Sequence, residues 1–440
     1  MNIENYFSVI EKADTHKRYG KVLRVVGLMI ESEGPATNIG EVCYIHASSN
    51  DRPPIISEVV GFNNEKIILM PYGEVTEIGP GCLVESTGKP LSVKVGRALI
   101  GNVVNSLGRP LNDEAILPKG LTSYLTDQSP PNPMTRPPIR KPIQVGVKAI
   151  DSLLTMGEGQ RIGIFAGSGV GKSTLLGMIA RNSSADINVI ALIGERGREV
   201  REFIEHDLGE EGLKKSIVVA ATSDQPALMR IKGAYTATAI SEYFRDLGYK
   251  VNLMMDSVTR VAMAQREIGL AIGEPPTTKG YTPSVFSILP KLLERTGTNA
   301  NGTITAFYTV LVDGDDMNEP IADAVRGILD GHFIMDRKLA ERGQFPAINV
   351  QKSISRVMNM VADGEHKEIA QQIRRLIAIY EENSELISIG AYKRGTNQDI
   401  DRAISFYPKI QDFLKQDVYD YKSLEETVQL MKSLLNGGVN

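Results

Sequence analysis

The sequence predicts an α/β protein in which a small β-domain precedes the α/β core and a helical domain follows it. Between about 150 and 365, short apolar runs alternate with stretches of helical periodicity, which is typical of a mostly parallel sheet covered on both faces. From 19 to 90, short β-rich runs are separated by Gly, Asn, Asp and Pro, which favours a small barrel or sandwich. After about 367 the strand signals stop and three helical patterns follow.

Length and composition restrict the class of protein. A chain of 440 residues is too long for one hydrophobic core, so two or three domains are expected. The net charge of −4 argues against a nucleic-acid-binding protein, which usually carries a basic excess. Cys43 and Cys82 are the two cysteines, and without a Cys-x-x-Cys pattern they indicate buried apolar residues in a reducing compartment. No apolar run approaches the ~20 residues that span a bilayer, so any membrane contact would be peripheral.

The domain boundaries follow from these changes of pattern. We expect an N-terminal amphipathic segment, a β-barrel domain, a core that begins with a turn- and proline-rich connector, and a helical domain, over 1–18, 19–90, 91–366 and 367–440. The amphipathic segment would dock on a partner or a membrane surface, or else pack on its own domain. Its apolar stripe consists of Ile3, Tyr6, Phe7 and Ile10.

Residues 166–173, Ala-Gly-Ser-Gly-Val-Gly-Lys-Ser, form a glycine-rich turn between a predicted strand and a predicted helix. This is the context of a phosphate-binding P-loop. Glycines let backbone N–H groups converge on phosphate oxygens, and the helix presents its positive N-terminus to the same anion. Ala166 stands where a first glycine is usual, which is acceptable if its φ is negative. The predicted nucleotide-binding residues are Gly167, Ser168, Gly169, Val170, Gly171, Lys172, Ser173 and Thr174.

Two carboxylates follow predicted strands of the same core. Lys172 would reach the β- and γ-phosphates, and the hydroxyl of Ser173 would ligate Mg²⁺. Asp256 ends an apolar strand, the Walker-B arrangement, in which the carboxylate holds the metal directly or through water. Glu195 is the candidate to orient and polarise the attacking water. The alternative is that both carboxylates are solvated strand ends or helix caps, but a P-loop in the same sheet favours function.

Charge on the γ-phosphoryl group in the transition state requires a further cation. An arginine from a neighbouring subunit is a common solution and accelerates the reaction roughly 10³–10⁵-fold. The sequence offers several arginines, and composition alone does not select one.

Several motifs resemble a known superfamily. Residues 346–356 resemble the signature of the rotary ATP synthase α/β subunits, and 194–199 resemble the glutamate-bearing motif of their catalytic subunits. Within this superfamily the sequence is most similar to the flagellar protein-export (type III secretion) ATPases of bacteria. The segments that carry this similarity are 273–281, 283–286, 289–297, 313–320 and 329–332.

The resemblance implies a RecA-like P-loop ATPase core with an N-terminal small β-barrel and a C-terminal helical domain. It implies ATP and Mg²⁺ as ligands, with Lys172 and Ser173 at the phosphates and metal and Asp256 supporting the metal. Glu195 would activate water with Arg196 beside it. Arg356 would be the finger that reaches the nucleotide of the next subunit; the alternative is that Arg356 forms an ordinary interface salt bridge, and without the resemblance it ranks level with Arg260. Tyr392 is the candidate for the adenine contact. Because Glu195 and Arg356 occur in one chain, identical copies can complete every site, which favours a homohexamer.

The function that follows from the resemblance is ATP hydrolysis coupled to export of flagellar proteins, at the cytoplasmic face of the inner membrane. The expected partners are a regulator or stator protein at the N-terminus, export substrates and their chaperones, with peripheral membrane contact and no nucleic acid. The alternatives are a virulence-type (injectisome) secretion ATPase and the catalytic subunit of a rotary proton or sodium ATPase. A hexameric RNA translocase like Rho is disfavoured by the acidic balance, and a nucleotide sensor without turnover by Glu195 and Asp256.

Overall fold

The computed structural model describes residues 17–48, 52–111, 118–312, 314 and 316–436. Residues 1–16, which make up nearly all of the predicted amphipathic segment, lie outside the described residues. So do Asp313 and Asp315 of the 313–320 motif.

Among the described residues, six antiparallel strands close into an N-terminal barrel in the order β1-β2-β5-β4-β3-β6. They are β1 (Arg18–Val26), β2 (Met29–Glu33), β3 (Glu41–Ile45), β4 (Ile55–Asn63), β5 (Lys66–Pro71) and β6 (Leu83–Pro90). The predicted barrel is confirmed. Its interior is apolar and includes Cys43 and Cys82, which are free thiols as expected.

A connecting region of short elements follows the barrel. It contains β7 (Ser92–Val95), β8 (Val103–Val104), β9 (Thr122–Leu125), β10 (Pro142–Ile143), α1 (Lys148–Leu153) and β11 (Met156–Gly157). Its proline-rich stretch packs on the core, because the guanidinium of Arg136 donates to the carbonyl oxygens of Glu294 and, at 2.8 Å, of Thr296.

The α/β core follows from residue 161. Its elements are β12 (Arg161–Ala166), α2 (Lys172–Asn182), β13 (Ile187–Ile193), α3 (Gly197–Glu202), a π-helical segment (Phe203–Leu208), α4 (Gly209–Leu213), β14 (Ser216–Ala221), α5 (Ala227–Asp246), β15 (Lys250–Asp256), α6 (Val258–Ala271), α7 (Pro283–Leu293), β16 (Gly297–Thr298), β17 (Thr303–Leu311), α8 (Pro320–Ile328), β18 (Gly331–Met335), α9 (Arg337–Glu341) and β19 (Ile354–Ser355). The predicted α/β core is confirmed.

The sheet of the core brings the functional strand ends together. Its order is β19-β18-β12-β17-β15-β13-β14-β8, and the strands from β18 to β8 are parallel. The carboxyl ends of these strands therefore meet at one edge, where ligands of open α/β sheets bind. The P-loop follows β12, Glu195 follows β13, and Asp256 ends β15.

The C-terminal domain is helical, as predicted. It contains α10 (Met358–Val361), α11 (Gly364–Glu382), α12 (Ser384–Ser388), α13 (Gln398–Leu414) and α14 (Leu424–Asn436). Helix α11 spans the boundary expected after residue 366, which stays a prediction. The rings of Tyr380 and Tyr407 stack between α11 and α13 with centroids 3.6 Å apart. In the described part of the chain, no helix combines the length and apolarity that crossing a membrane requires.

A buried ion pair joins the barrel to the core. The Lys232 ammonium on α5 lies 2.8 and 2.7 Å from the two carboxylate oxygens of Glu58 on β4. The hydroxyl of Tyr72 donates to the same carboxylate, and all three residues are buried. Both charges are removed from water, so loss of either partner would leave an uncompensated buried charge and destabilise the junction.

Candidate active site

The turn between β12 and α2 has the backbone that a P-loop requires. Gly169 and Gly171 have φ values of 77° and 87°, in the left-handed region that glycine tolerates. Helix α2 begins at Lys172, directly after Gly171. Ala166 ends β12 in the extended conformation, so the alanine at this position is accommodated without strain.

A cavity of about 750 Å³ lies at the carboxyl edge of the sheet, above this loop. Most of the predicted site residues line it: Gly167, Ser168, Gly169, Gly171, Lys172, Ser173, Thr174, Glu195, Arg196 and Asp256. Val170 is buried beneath the loop, where its side chain packs into the core. Residues from the ends of three separate strands therefore line one cavity next to the P-loop.

Lys172 is held by both carboxylates. Its ammonium contacts the carboxylate of Asp256 and lies 3.4 Å from Oε1 of Glu195. Burial alone would lower the pKa of Lys172, but the charges of Asp256 and Glu195 raise it above its usual value. The lysine is thus a fixed cation at the mouth of the P-loop.

Glu195 has an unusual titration behaviour. Burial, followed by the nearby charge of Asp256, raises the pKa of Glu195 to about 7. Its carboxyl group also hydrogen-bonds to the carboxylate of Glu199, whose own pKa is lowered by that bond. A carboxyl group poised near neutrality is suited to accept a proton from water.

Asp256 is nearly fully buried at the end of β15. Its Oδ1 accepts a hydrogen bond of 2.7 Å from the hydroxyl of Thr309. With the hydroxyl of Ser173 in the same cavity, the site offers hard oxygen donors, which suit Mg²⁺. Among the described residues no group of three or more His, Cys, Asp or Glu side chains can hold a metal by itself. A Mg²⁺ ion here would share its coordination with phosphate oxygens and water.

Arg260, which the sequence without the resemblance ranks level with Arg356, lies at the site. It lines the cavity beside Gly194, and its Nε is buried without a hydrogen-bond partner among the residues that the structure describes. An unpaired guanidinium nitrogen in a cavity beside a P-loop indicates an anion contact. Its position four residues after Asp256, in the first turn of α6, is the signal that indicates its place at the site.

Arg356 lies away from the P-loop of its own chain. Its backbone N–H donates to the carbonyl of Asp330, and the backbone N–H of Asp330 donates to the carbonyl of Arg161, at the first residue of β12. The P-loop follows the last residue of β12, about 17 Å further along the strand at about 3.3 Å per residue. Arg356 is exposed and does not line the cavity.

The structure does not bring Tyr392 to the cavity. Its hydroxyl donates to the carbonyl of Asn397 and lies 3.0 Å from the carboxylate of Asp401, so it closes a loop of the C-terminal domain. An aromatic residue that does lie beside the P-loop is Phe345. A Cβ built on Gly171 would be 3.7 Å from its ring, and Phe345 is 46% exposed.

The segment between α13 and α14 flanks Phe345. The backbone N–H of Gln416 donates to the carbonyl of Phe345 at 2.9 Å, and Arg181 of α2 donates to the carbonyl of Val418 at 2.8 Å. The exposed ring therefore lies beside Gly171, directly before the P-loop helix, and the backbone of Phe345 is hydrogen-bonded to the C-terminal domain. This arrangement suits a flat heteroaromatic base.

A P-loop, a strand-end aspartate and a glutamate poised near neutrality together define a P-loop ATPase. The sequence matches the ATP synthase alpha/beta family, nucleotide-binding domain, over 146–355, and its beta-barrel domain over 22–88. It also matches the T3SS EscN ATPase C-terminal domain over 362–433. The chain belongs to the ATP synthase alpha/beta family, in the branch that contains the flagellar and type III secretion ATPases.

Individual relatives agree with this placement. The chain is 65% identical over 434 residues to the flagellum-specific ATP synthase of Bacillus subtilis, covering 99% of each chain. It is 49% identical to the type 3 secretion system ATPase of Xanthomonas euvesicatoria, covering 95% of this chain and 94% of that one. The assembled ATPase EscN of enteropathogenic E. coli superposes with a TM-score of 0.89 at 45% identity, covering 94% of this chain and all of that one. The predicted resemblance to the flagellar protein-export ATPases is confirmed.

Proposed function

We propose that this ATPase hydrolyses Mg²⁺-ATP in a homohexameric ring, at sites that the neighbouring copy completes, and that hydrolysis serves export of flagellar proteins. The observation that carries the proposal is the separation within one chain. Lys172, Glu195 and Asp256 share one cavity, whereas Arg356 lies at the opposite end of β12 and β18. An arginine so placed is too far from the P-loop of its own chain to contact a nucleotide there, so as a finger it would act on a nucleotide bound to another copy.

Within one site, each group has a separate task. The loop amides and Lys172 bind the β- and γ-phosphates, with Arg260 as a second cation of the same chain. Glu195, once deprotonated, orients the attacking water and accepts its proton. Arg356 of the partner subunit stabilises the charge that develops on the transferred phosphoryl group. Bound Mg²⁺ would neutralise charge on the β- and γ-phosphates, held by Ser173 and Asp256.

We further propose that the adenine base stacks on Phe345. The exposed ring adjoins Gly171 of the P-loop, and the backbone carbonyl of Phe345 accepts a hydrogen bond from Gln416 of the C-terminal domain. We propose Phe345 for this role in preference to Tyr392, because the Phe345 ring adjoins the P-loop whereas Tyr392 does not line the cavity.

The proposed partners follow from the family. The relative EscN has been described both assembled and in complex with its central stalk EscO, with TM-scores of 0.89 and 0.88 to this chain. We propose an equivalent ring and stalk here, at the inner face of the cytoplasmic membrane. The regulator or stator protein, the export substrates and the chaperones stay proposals that rest on family resemblance.

Changing Glu195 to Gln tests the proposed base. Turnover should fall by two to four orders of magnitude, the usual range for a lost general base, while ATP binding stays nearly intact. Steady-state phosphate release and equilibrium binding of a fluorescent nucleotide measure the two properties. Glu202→Gln is the comparison variant, because Glu202 also lines the cavity but is half exposed and pairs with Arg198. Full turnover by E195Q would show that another group activates the water.

A further inference from the structure

The hydroxyl of Thr309 contacts the carboxylate of Asp256 from the neighbouring strand. Thr309 lies on β17, which is placed between β12, the strand that leads to the P-loop, and β15, the strand that ends at Asp256. Its Oγ1 is 2.7 Å from Oδ1 of Asp256 and 3.3 Å from the carbonyl oxygen of Met255. A hydroxyl group has one proton, and the shorter distance to the charged acceptor assigns that proton to Asp256.

Thr309 reaches Asp256 from outside the nucleotide cavity. Its side chain is fully buried in the sheet and is not part of the cavity lining, whereas Asp256 does line the cavity. A nucleotide bound there would therefore touch Asp256 but not Thr309. Any effect of the Thr309 hydroxyl on bound nucleotide has to pass through the carboxylate.

The end of β17 is itself held against the corner that follows Asp256. The backbone N–H of Leu311, the last residue of β17, donates to the hydroxyl oxygen of Thr259 at 2.9 Å. Thr259 lies in the first turn of α6 and is buried. The hydroxyl that bonds to Asp256 thus belongs to a strand whose position relative to this corner is fixed.

Both side-chain contacts of the Asp256 carboxylate use one oxygen. Lys172 and Thr309 each reach Oδ1. Within the part of the chain that the structure describes, Oδ2 is therefore the oxygen left for a metal ion or for its water. Once Lys172 turns to the phosphates, as the proposed function requires, Thr309 is the contact that still orients the carboxylate. Hydrogen bonds of this kind fix the direction of metal-binding carboxylates in proteins.

We propose that Thr309 is a positioning residue for Mg²⁺-ATP, whose hydroxyl orients the carboxylate of Asp256 toward the metal. The inference rests on the proposed function, in which Asp256 supports Mg²⁺. Loss of a hydrogen bond to a metal ligand typically lowers metal affinity or activity by about 10–100-fold. Because Thr309 lies outside the cavity, its loss should weaken only the part of nucleotide binding that depends on Mg²⁺.

The test uses the full chain and separates the metal from the nucleotide. The Kd of a fluorescent, non-hydrolysable ATP analogue is measured with saturating Mg²⁺ and with EDTA, and turnover is measured against Mg²⁺ concentration. Thr309→Val replaces the hydroxyl by a methyl group of similar size. It should raise the Mg²⁺ concentration for half-maximal turnover at least about tenfold. Its Kd in EDTA should stay within about threefold of wild type, since the phosphate contacts are untouched.

Two further variants show whether the effect passes through Asp256. Thr309→Ser keeps the hydroxyl and should remain within about threefold of wild type in every measurement. Asp256→Asn removes the charged metal ligand, so adding T309V to D256N should raise the Mg²⁺ requirement no further.

Thr305→Val is the matched control. Thr305 lies four residues earlier on β17 and is also buried, and its hydroxyl accepts a hydrogen bond of 2.9 Å from the backbone N–H of Gly159, away from the cavity. T305V therefore removes a buried, hydrogen-bonded hydroxyl from the same strand. The Mg²⁺ requirement of T305V should stay within about threefold of wild type.

Three results would overturn the inference: a wild-type Mg²⁺ requirement in T309V, a loss of affinity in T309V that is as large in EDTA as in Mg²⁺, or a T309S variant as impaired as T309V. If T309V does not fold by circular dichroism, Thr309→Ala removes the same hydroxyl and takes its place in each comparison. A wild type that ignores Mg²⁺ would refute the metal in the proposed function. A wild type that depends on Mg²⁺, with an unaffected T309V, would refute only the role of Thr309.

Discussion

The carboxyl group of Glu195 changes its protonation state near neutral pH, because its surroundings raise its pKa. Burial and the charge of Asp256 oppose ionisation of the carboxyl group and raise its pKa to about 7. The ammonium of Lys172, 3.4 Å away, opposes that shift in part. The active form of the proposed base is the carboxylate, so activity should follow its ionisation.

The first prediction is that kcat/KM for ATP rises with pH through about 7. Below that value Glu195 is protonated and does not accept a proton from water, so kcat/KM should fall about tenfold per pH unit. The profile is measured between pH 5.5 and 9 with saturating Mg²⁺, and circular dichroism checks folding at each pH. The residual rate of E195Q should be flat across the same range. A flat profile for the wild type would contradict the assignment of the base.

Phe345 provides a second prediction at this scale. Phe345→Ala should weaken ATP binding about tenfold, the order expected for loss of one base–aromatic stack. Phe345→Tyr should bind like the wild type, because it keeps the ring. Leu247→Ala, which removes an exposed apolar side chain at the end of α5, is the control. Isothermal titration calorimetry with ATP and with inorganic triphosphate distinguishes contacts to the base from contacts to the phosphates. F345A should weaken the binding of ATP and leave the binding of triphosphate unchanged.

At the scale of elements, the junction between barrel and core rests on Lys232 and Glu58. Both side chains are about nine-tenths buried, so removing one leaves an uncompensated charge in the junction. Lys232→Met should lower the free energy of unfolding by about 3–5 kcal/mol. The double variant Lys232→Met/Glu58→Gln should recover much of this loss, because no buried charge remains.

Chemical denaturation followed by circular dichroism measures this effect. Lys214→Met is the matched control, since Lys214 forms its ion pair with Glu211 on the exposed surface. Its unfolding free energy should change by less than about 1 kcal/mol. Equal losses in K232M and K214M would show that burial of the pair contributes nothing.

The elements that could be predicted from the sequence are those that contain a local run of apolar residues. The core strands are almost entirely buried, and residues 189–193 and 251–255 lie within β13 and β15 as expected. Strands β2 and β6 were not predicted, because Met-Ile-Glu-Ser-Glu and Leu-Val-Glu-Ser-Thr-Gly-Lys-Pro each contain only two apolar residues, at the start of the strand. Their strand character depends on pairing with distant partners in the barrel.

The site was predictable to a similar degree. Lys172, Glu195 and Asp256 follow local strand and turn signals, and parallel strands bring their ends together. Phe345 was missed because its neighbours, Gly171 and Gln416, are distant in sequence and meet it only in the fold.

At the scale of the whole molecule, the central claim is that catalysis belongs to the assembly. One chain contains a complete phosphate-binding half and an exposed arginine at the opposite end of the same strands. In a closed ring of identical copies, each interface would combine the two halves. Neither half should hydrolyse ATP at a useful rate alone.

The most direct measurement mixes two inactive variants, Lys172→Ala and Arg356→Ala, under conditions in which the ring assembles. Each variant alone should lose at least about 10³-fold in turnover. In a random equal mixture, about one quarter of the interfaces pair an intact P-loop with an intact arginine, so about one quarter of wild-type activity should return. Mixing K172A with K172A/R356A is the control and should restore nothing. A mixture of K172A and R356A that assembles and stays as inactive as its components would contradict the account.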